Sequence, residues 1–353
     1  MSMMKHLAFG AVAVALAAGI SGCGSKADYS QPKVAEGTIA VLAGRSAQDT
    51  SLKPICEKYG LASNDLSKLP KEVKELVADL GLDKAESKWM AVTVGDVSAA
   101  VKGEDAPDVA VALATTLDLD KAIVACEKKI KEEKKDGEVS FKKTAVAGVD
   151  AYEVACKDCK VGAKAVVPCV ASLDKQLILA ATSAACLEKQ IALYRDGKGA
   201  SAEFGAFSLK ANDLIRVKVA KVGENVKKNL PSPDMLQAVN SMLPDGDKLI
   251  LGLGTAEIAV AASVDGKNVA LDVSLETAAD ADADKLVTLA KTGLMTLTAM
   301  VKGQAEKDAD AKAAAAALEA AKIVAEGKVA RLSASVDADA ALKALAEKAK
   351  DIK

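Results

Sequence analysis

Histidine is almost missing from this chain: of 353 residues only His6 is one. It lies in an N-terminal apolar segment that reads as a removable export signal, so the mature chain has none. That excludes Ser-His-Asp and Cys-His catalysis and every His-ligated metal site. Aromatic residues make up only 3%, and Trp89 is the sole tryptophan. A sugar site lined by stacking rings is disfavoured, and the core must be built mostly from Ala, Val and Leu. The arginines are Arg45, Arg195, Arg216 and Arg331, and the formal net charge is −2. Nucleic-acid binding lacks its basic footprint. Long apolar runs are also scarce. The stretch from Leu7 to Ile20 is shorter than the roughly 20 residues that span a bilayer as a helix.

What remains is ample for a folded body. The chain is 50% hydrophobic and 27% charged, so it buries a core and is no disordered tail. Removing the signal leaves enough residues for two domains.

Lys5 and His6 form a short polar start, Leu7–Ile20 an uncharged apolar stretch, and small residues then lead to Cys23. That grammar is a signal peptide's. Ile20, Ser21, Gly22 and Cys23 match the lipobox position by position, and the segment resembles the export signal of bacterial lipoproteins. The resemblance covers residues 1–23. It implies a signal peptide over residues 1–22 and a diacylglycerol thioether on Cys23. It further implies a new amino terminus acylated, for example by palmitate. Two or more acyl chains make a stable membrane anchor. Gly24, rather than Asp, follows the lipidated residue, which in enteric-type sorting points to the outer membrane of a Gram-negative host. The implied location is extracytoplasmic, with the membrane as partner through the lipid.

Residues 23–37 read as a lipidated polar tether. Thr38–Ala43 reads as a strand, residues 51–59 and 70–80 as helices with Gly81 as a stop, and Trp89–Val94 as a second strand. Val109, Val111, Leu113 and Thr115 alternate with Ala110, Ala112 and Ala114, the period of a strand. Asp118 or Asp120 then caps a helix whose Ile123, Cys126 and Ile130 share a face. Residues 139–156 and 165–182 read as strands around turns. A helix starts at Ser183, places Leu187, Ile191 and Tyr194 on one face, and ends at Gly197. The flexible Gly197–Ser201 stretch marks a boundary.

The second half repeats the first in outline. Leu214–Ala220 is a strand, and a helix follows over Met235–Leu243. Lys248–Gly254 is a strand, and Val269–Leu275 alternates again before a helix over about residues 282–302. Residues 308–326 are Ala-rich, with high helix propensity. Residues 177–196 and 330–351 share a strand, small-residue turn and helix. The expected fold is α+β: two tandem related units, each a mainly antiparallel sheet with helices covering one face. The first spans residues 38–200 and contains the cysteines; the second spans residues 201–353 and is cysteine-free.

With Cys23 lipidated, six cysteines remain: Cys56, Cys126, Cys156, Cys159, Cys169 and Cys186. An even number in an oxidising compartment makes all six disulfide candidates. Cys156, Cys159 and Cys169 flank a hairpin, so a bond is expected there, with Cys169 favoured as partner of one of the other two. Cys156-Lys157-Asp158-Cys159 is a C-x-x-C, but it sits in a turn between strands. A redox-active pair normally opens a helix, so a structural bond is the expected role. Asp280, Asp282 and Asp284 read as acidic residues at a helix N-terminus. Position six of a calcium loop started at Asp280 would hold Lys285 in place of Gly. No catalytic residue, metal or cofactor is assigned.

The sequence thus describes a non-enzymatic envelope lipoprotein, a binding or interaction module whose partner is an envelope protein. Two alternatives stand beside it. One is a carrier of a lipid or other apolar ligand; the other is a thiol–disulfide oxidoreductase using Cys156 and Cys159.

Overall fold

The alternation at residues 109–115 becomes a central strand whose two faces are both buried, the alanine face more deeply. The computed structural model describes residues 29–45, 54, 58, 78–81, 85–96, 106–132, 139–156, 159–161, 164–205, 207–220, 258–265, 267–277, 279–305, 315–316 and 318–339. The chain divides into two units, Met1–Ala211 and Asn212–Lys353. Both are α+β with antiparallel sheets.

In the first unit the strands are β1 (Thr38–Gly44), β2 (Ser87–Gly95), β3 (Val109–Thr115), β4 (Val139–Val146) and β5 (Val149–Cys156), with β8 (Cys169–Leu173) and β9 (Leu177–Ala181). They pair in the order β1-β2-β3-β9-β8-β5-β4. A small ribbon, β6 (Lys160–Val161) and β7 (Lys164–Ala165), stands apart. Helix α1 (Leu119–Glu132) follows β3, and α2 (Ala184–Asp196) follows β9.

Register assigns the faces. Met90, Leu113 and Ile178 stand opposite one another on β2, β3 and β9. Together with Leu117 and Val170 they pack around Ala122 and Ile123 of α1. The alternate residues, Trp89, Ala114 and Leu177, point the other way, and there Trp89 stacks on Tyr194 of α2. The sheet of the first unit therefore carries a helix on each face, not helices on one face as expected, because apolar residues fill both sides of β3. Ala43, Ala91, Ala110, Ala112, Ala151 and Ala171 line the α2 side and are buried. Their small side chains leave room for the bulk of Trp89, Leu177, Leu179, Leu187 and Ile191.

Local chemistry sets the helix ends. Asp118 accepts a bond from the Lys121 amide at 3.2 Å, and its main-chain oxygen accepts from Ala122. This cap bond, more than the Lys121 charge, holds the Asp118 carboxyl below its ordinary range. Ser183 caps α2 through the Cys186 amide at 3.1 Å. Gly197 ends it with φ 69°, a left-handed conformation that favours glycine.

In the second unit β10 (Asp213–Val219), β11 (Ile258–Asp265), β12 (Asn268–Glu276), β13 (Lys322–Glu326) and β14 (Val329–Asp337) pair in the order β10-β11-β12-β14-β13. Helix α3 (Asp280–Ala305) joins β12 to β13 and packs on β13 and β14. This order repeats β1-β2-β3-β9-β8 of the first unit, with α3 in the place of α1. The units are thus related in topology, and β4 to β7 form an extension of the first.

Three sequence expectations are corrected. Residues 322–326, read as the end of an Ala-rich helix, form β13, because the β-branched Ile323 and Val324 pair with Leu332 and Arg331 across the Gly327 turn. Residues 29–35, read as tether, are packed into the first unit. Residues 201–209, read as the start of the second unit, bury Phe204, Phe207 and Leu209 against the first. The helix expected at 235–243 and the strand at 248–254 lie outside the described residues, as do most of 51–59 and 70–80.

Candidate functional site

Nine aromatic residues serve the whole chain, and three of them meet at one place. The Tyr194 ring lies 6.3 Å from Trp89, stacked at 19°, and 6.4 Å from Tyr29, tilted at 51°. The Lys33 ammonium sits 5.7 Å above the Tyr194 ring. The Trp89 indole N–H donates to the Tyr29 carbonyl at 2.8 Å, and the Tyr29 hydroxyl donates to Asp174 in the β8–β9 turn at 2.8 Å. Burial first, then the bond to Asp174, pushes the Tyr29 phenol above its ordinary range. Burial does the same for Tyr194. Both phenols therefore stay neutral and act as hydrogen-bonding posts.

The rest of the N-terminal strap continues this pattern. Gln31 gives its amide N–H to the Leu209 carbonyl at 3.1 Å and accepts the Leu209 amide at 2.9 Å. The Lys33 amide donates to the Tyr194 hydroxyl at 2.9 Å. Ser201 donates to the Val34 carbonyl and Glu36 to the Gly199 carbonyl, beside the Ala35–Ala200 bridge. Residues 29–36 are thus fastened along residues 194–209 at nearly every second position. Sequence reasoning missed this cluster. The available signal was Tyr29 itself, a rare aromatic in a segment otherwise polar.

Cys23 and Cys56 lie outside the described residues. The structure joins Cys156 to Cys159. Cys169, expected to bond one of them, carries a free thiol, as do Cys126 and Cys186. Position keeps Cys126 from the other two. Cys126 is on α1 and Cys186 on α2, so the sheet separates them. Cys169 faces the α2 side opposite Ala181. Burial pushes all three thiols up, Cys186 to about 12. They are protonated at neutral pH and poor nucleophiles.

In the second unit the apolar sheet face is incompletely covered. Ile215, Ala262, Leu271 and Ala334 stand in one row across β10, β11, β12 and β14. Ile215 is 46% exposed and Leu271 39%. On α3, Met295 is 73% exposed and Met300 66%, with Leu297 exposed between them. Thr288, Thr292 and Thr296 of α3 each donate their hydroxyl to the carbonyl four residues back. Among the described residues, no helix is long and apolar enough to cross a membrane.

No family model matches the chain, and no curated protein matches it. Among solved structures it is similar to crystal forms of TP0453. Form I is 9% identical with a TM-score of 0.35, covering 88% of this chain and 94% of that one. Form IV is 10% identical with a TM-score of 0.37, covering 89% and 97%. Form III is 7% identical with a TM-score of 0.39, covering 92% and 99%. A likeness at this level carries no argument about this chain's role.

Proposed function

We propose that this chain is an extracytoplasmic lipoprotein, anchored in a membrane through acylated Cys23, that serves as a non-catalytic interaction module of the cell envelope. In a Gram-negative host the residue after the anchor, Gly24, favours the outer membrane. The observation that carries the interaction role is the apolar surface of the second unit. Ile215 and Leu271 on the sheet, and Met295, Leu297 and Met300 on α3, are left in water. Large apolar side chains exposed on both the sheet and the helix of one unit, beside a well-filled first unit, are surface that a partner can cover. The partner class is an envelope protein presenting a complementary apolar face.

The test is cross-linking in intact cells, comparing the parent with Met295→Glu/Met300→Glu. Both substitutions are compatible with an exposed helix. The variant is expected to stay membrane-bound and to lose the cross-linked species. Identical cross-links in parent and variant count against the reading.

The same open sheet row gives the apolar-ligand alternative its place, since the α1 side of the first-unit sheet is filled by Leu113, Leu117, Ile123, Val170 and Ile178. Organic extraction of purified protein separates the two: a stoichiometric lipid favours the carrier. The Cys156–Cys159 bond lies at the end of β5, away from a helix start, and this supports a structural bond over thiol exchange.

A further inference from the structure

The strap at residues 29–36 limits how far the first unit can stand from its membrane. Read as tether, residues 23–37 would reach about 50 Å when fully extended. Tyr29, the first described residue of that stretch, is held through its carbonyl by Trp89 and through its hydroxyl by Asp174. Six residue steps separate Cys23 from Tyr29, which at most span about 21 Å. A folded unit of this size is roughly 40 Å across. The link is therefore shorter than the body it holds, and the body cannot turn over beneath it.

We infer that the end of the first unit where Tyr29 enters, with the β8–β9 turn Asp174-Lys175-Gln176 and Arg195 of α2, is a membrane-proximal surface held against the lipid headgroups. This rests on the proposed acylation of Cys23 and adds an orientation to it. The neighbours fit a polar, hydrated interface. Asp174 and Lys175 adopt left-handed backbone in an exposed turn. Arg195 is exposed and close enough to influence the Tyr29 phenol. The anchor residue and the folded core are then mechanically continuous, with Tyr29 as the fixed point.

Trp89, the sole tryptophan and a direct partner of Tyr29, makes this measurable. The full acylated chain is reconstituted into phosphatidylethanolamine/phosphatidylglycerol vesicles carrying a dansylated headgroup, and energy transfer from Trp89 is recorded. A second protein carries a Gly/Ser insert of about 20 residues between Ala27 and Asp28, adding roughly 25 Å of mean reach. The parent is expected to show strong transfer, and the insert to lower its efficiency about twofold or more while the protein still floats with the vesicles. The Trp89 emission maximum, unchanged between the two, shows that the strap stays docked. Equal transfer from parent and insert, both floating, overturns the orientation and leaves the anchor reading intact. A parent that fails to float sinks both.

Discussion

The indole N–H of Trp89 reaches the main-chain carbonyl of Tyr29 at 2.8 Å, across 60 residues of sequence. Both residues are almost fully buried, so this bond ties the strap at residues 29–36 to the second strand. Trp89→Phe keeps a ring against Tyr194 but leaves the carbonyl unpaired. A buried acceptor without a partner costs about 1–3 kcal/mol. Urea denaturation followed by far-UV circular dichroism is expected to show a loss in that range, with faster proteolysis at residues 29–36.

Gln31 offers a second, independent handle on the same strap. Gln31→Ala deletes both of its bonds to the Leu209 main chain. At about 1 kcal/mol each, the expected loss is roughly 2 kcal/mol by the same denaturation measurement. The variant is expected to keep its secondary structure, because these bonds lie outside the sheet.

The buried thiols predict a response to alkali. The Cys186 pKa rises from an ordinary 9.0 to about 12, chiefly through burial. The folded state therefore holds its proton longer than the unfolded one. Its contribution is complete below pH 9 and is lost as pH rises towards 12. Tyr29 and Tyr194, also raised from an ordinary 10.0 chiefly by burial, act in the same direction from about pH 10 upward. Cys186→Ala is expected to flatten the fall of stability between pH 9 and 12 by up to about 1.4 kcal/mol per pH unit, one proton's worth. Denaturation midpoints at pH 8, 9.5 and 11 measure it. An identical pH slope in parent and variant refutes it.

The Cys156–Cys159 bond closes a very short loop, so its effect on the unfolded chain is small. Cys156→Ala/Cys159→Ala is expected to destabilise by no more than about 2 kcal/mol. Purified parent is expected to show no insulin-reductase activity above the variant. Catalysis that disappears in the variant would revive the exchange reading.

Asp213 is 1% exposed, and Arg216 pairs with both its carboxylate oxygens, at 2.7 and 3.3 Å. Arg216→Met would leave that carboxylate buried without its guanidinium. Removing one member of a buried pair costs about 3–5 kcal/mol, and the lower end is expected here because Asp213 keeps other contacts. Thermal unfolding of the variant, read at the second unit by hydrogen exchange of β10 and β11, provides the check.

Local signals in the sequence carried far. The Val/Ala alternation marks β3, Ser183 and Gly197 fix the ends of α2, and the matched strand–helix segments at 109–129 and 269–292 foreshadow the repeated strand order. Each of these depends on residues a few positions apart. The strap depends on bonds to residues 60 to 178 positions away, and nothing in the local pattern of Tyr29–Ala35 encodes them. A bond does form at the hairpin where one was expected, between Cys156 and Cys159, but without Cys169; Cys126 and Cys186 look equivalent on paper until the strand pleat places their helices on opposite faces. At Lys322–Glu326, a run of preceding alanines outweighed two β-branched residues that a hairpin partner then claimed.

On α3, Thr288, Thr292, Thr296 and Thr298 turn their hydroxyl hydrogens back onto the helix and have no donor left for a neighbour. Beside them stand Met295 and Met300, unbranched and polarizable side chains that reshape themselves to what they touch. A surface of that kind reads a partner by fit rather than by hydrogen-bond pattern. It would tolerate substitutions in that partner which preserve bulk, and a single introduced charge would be enough to repel it.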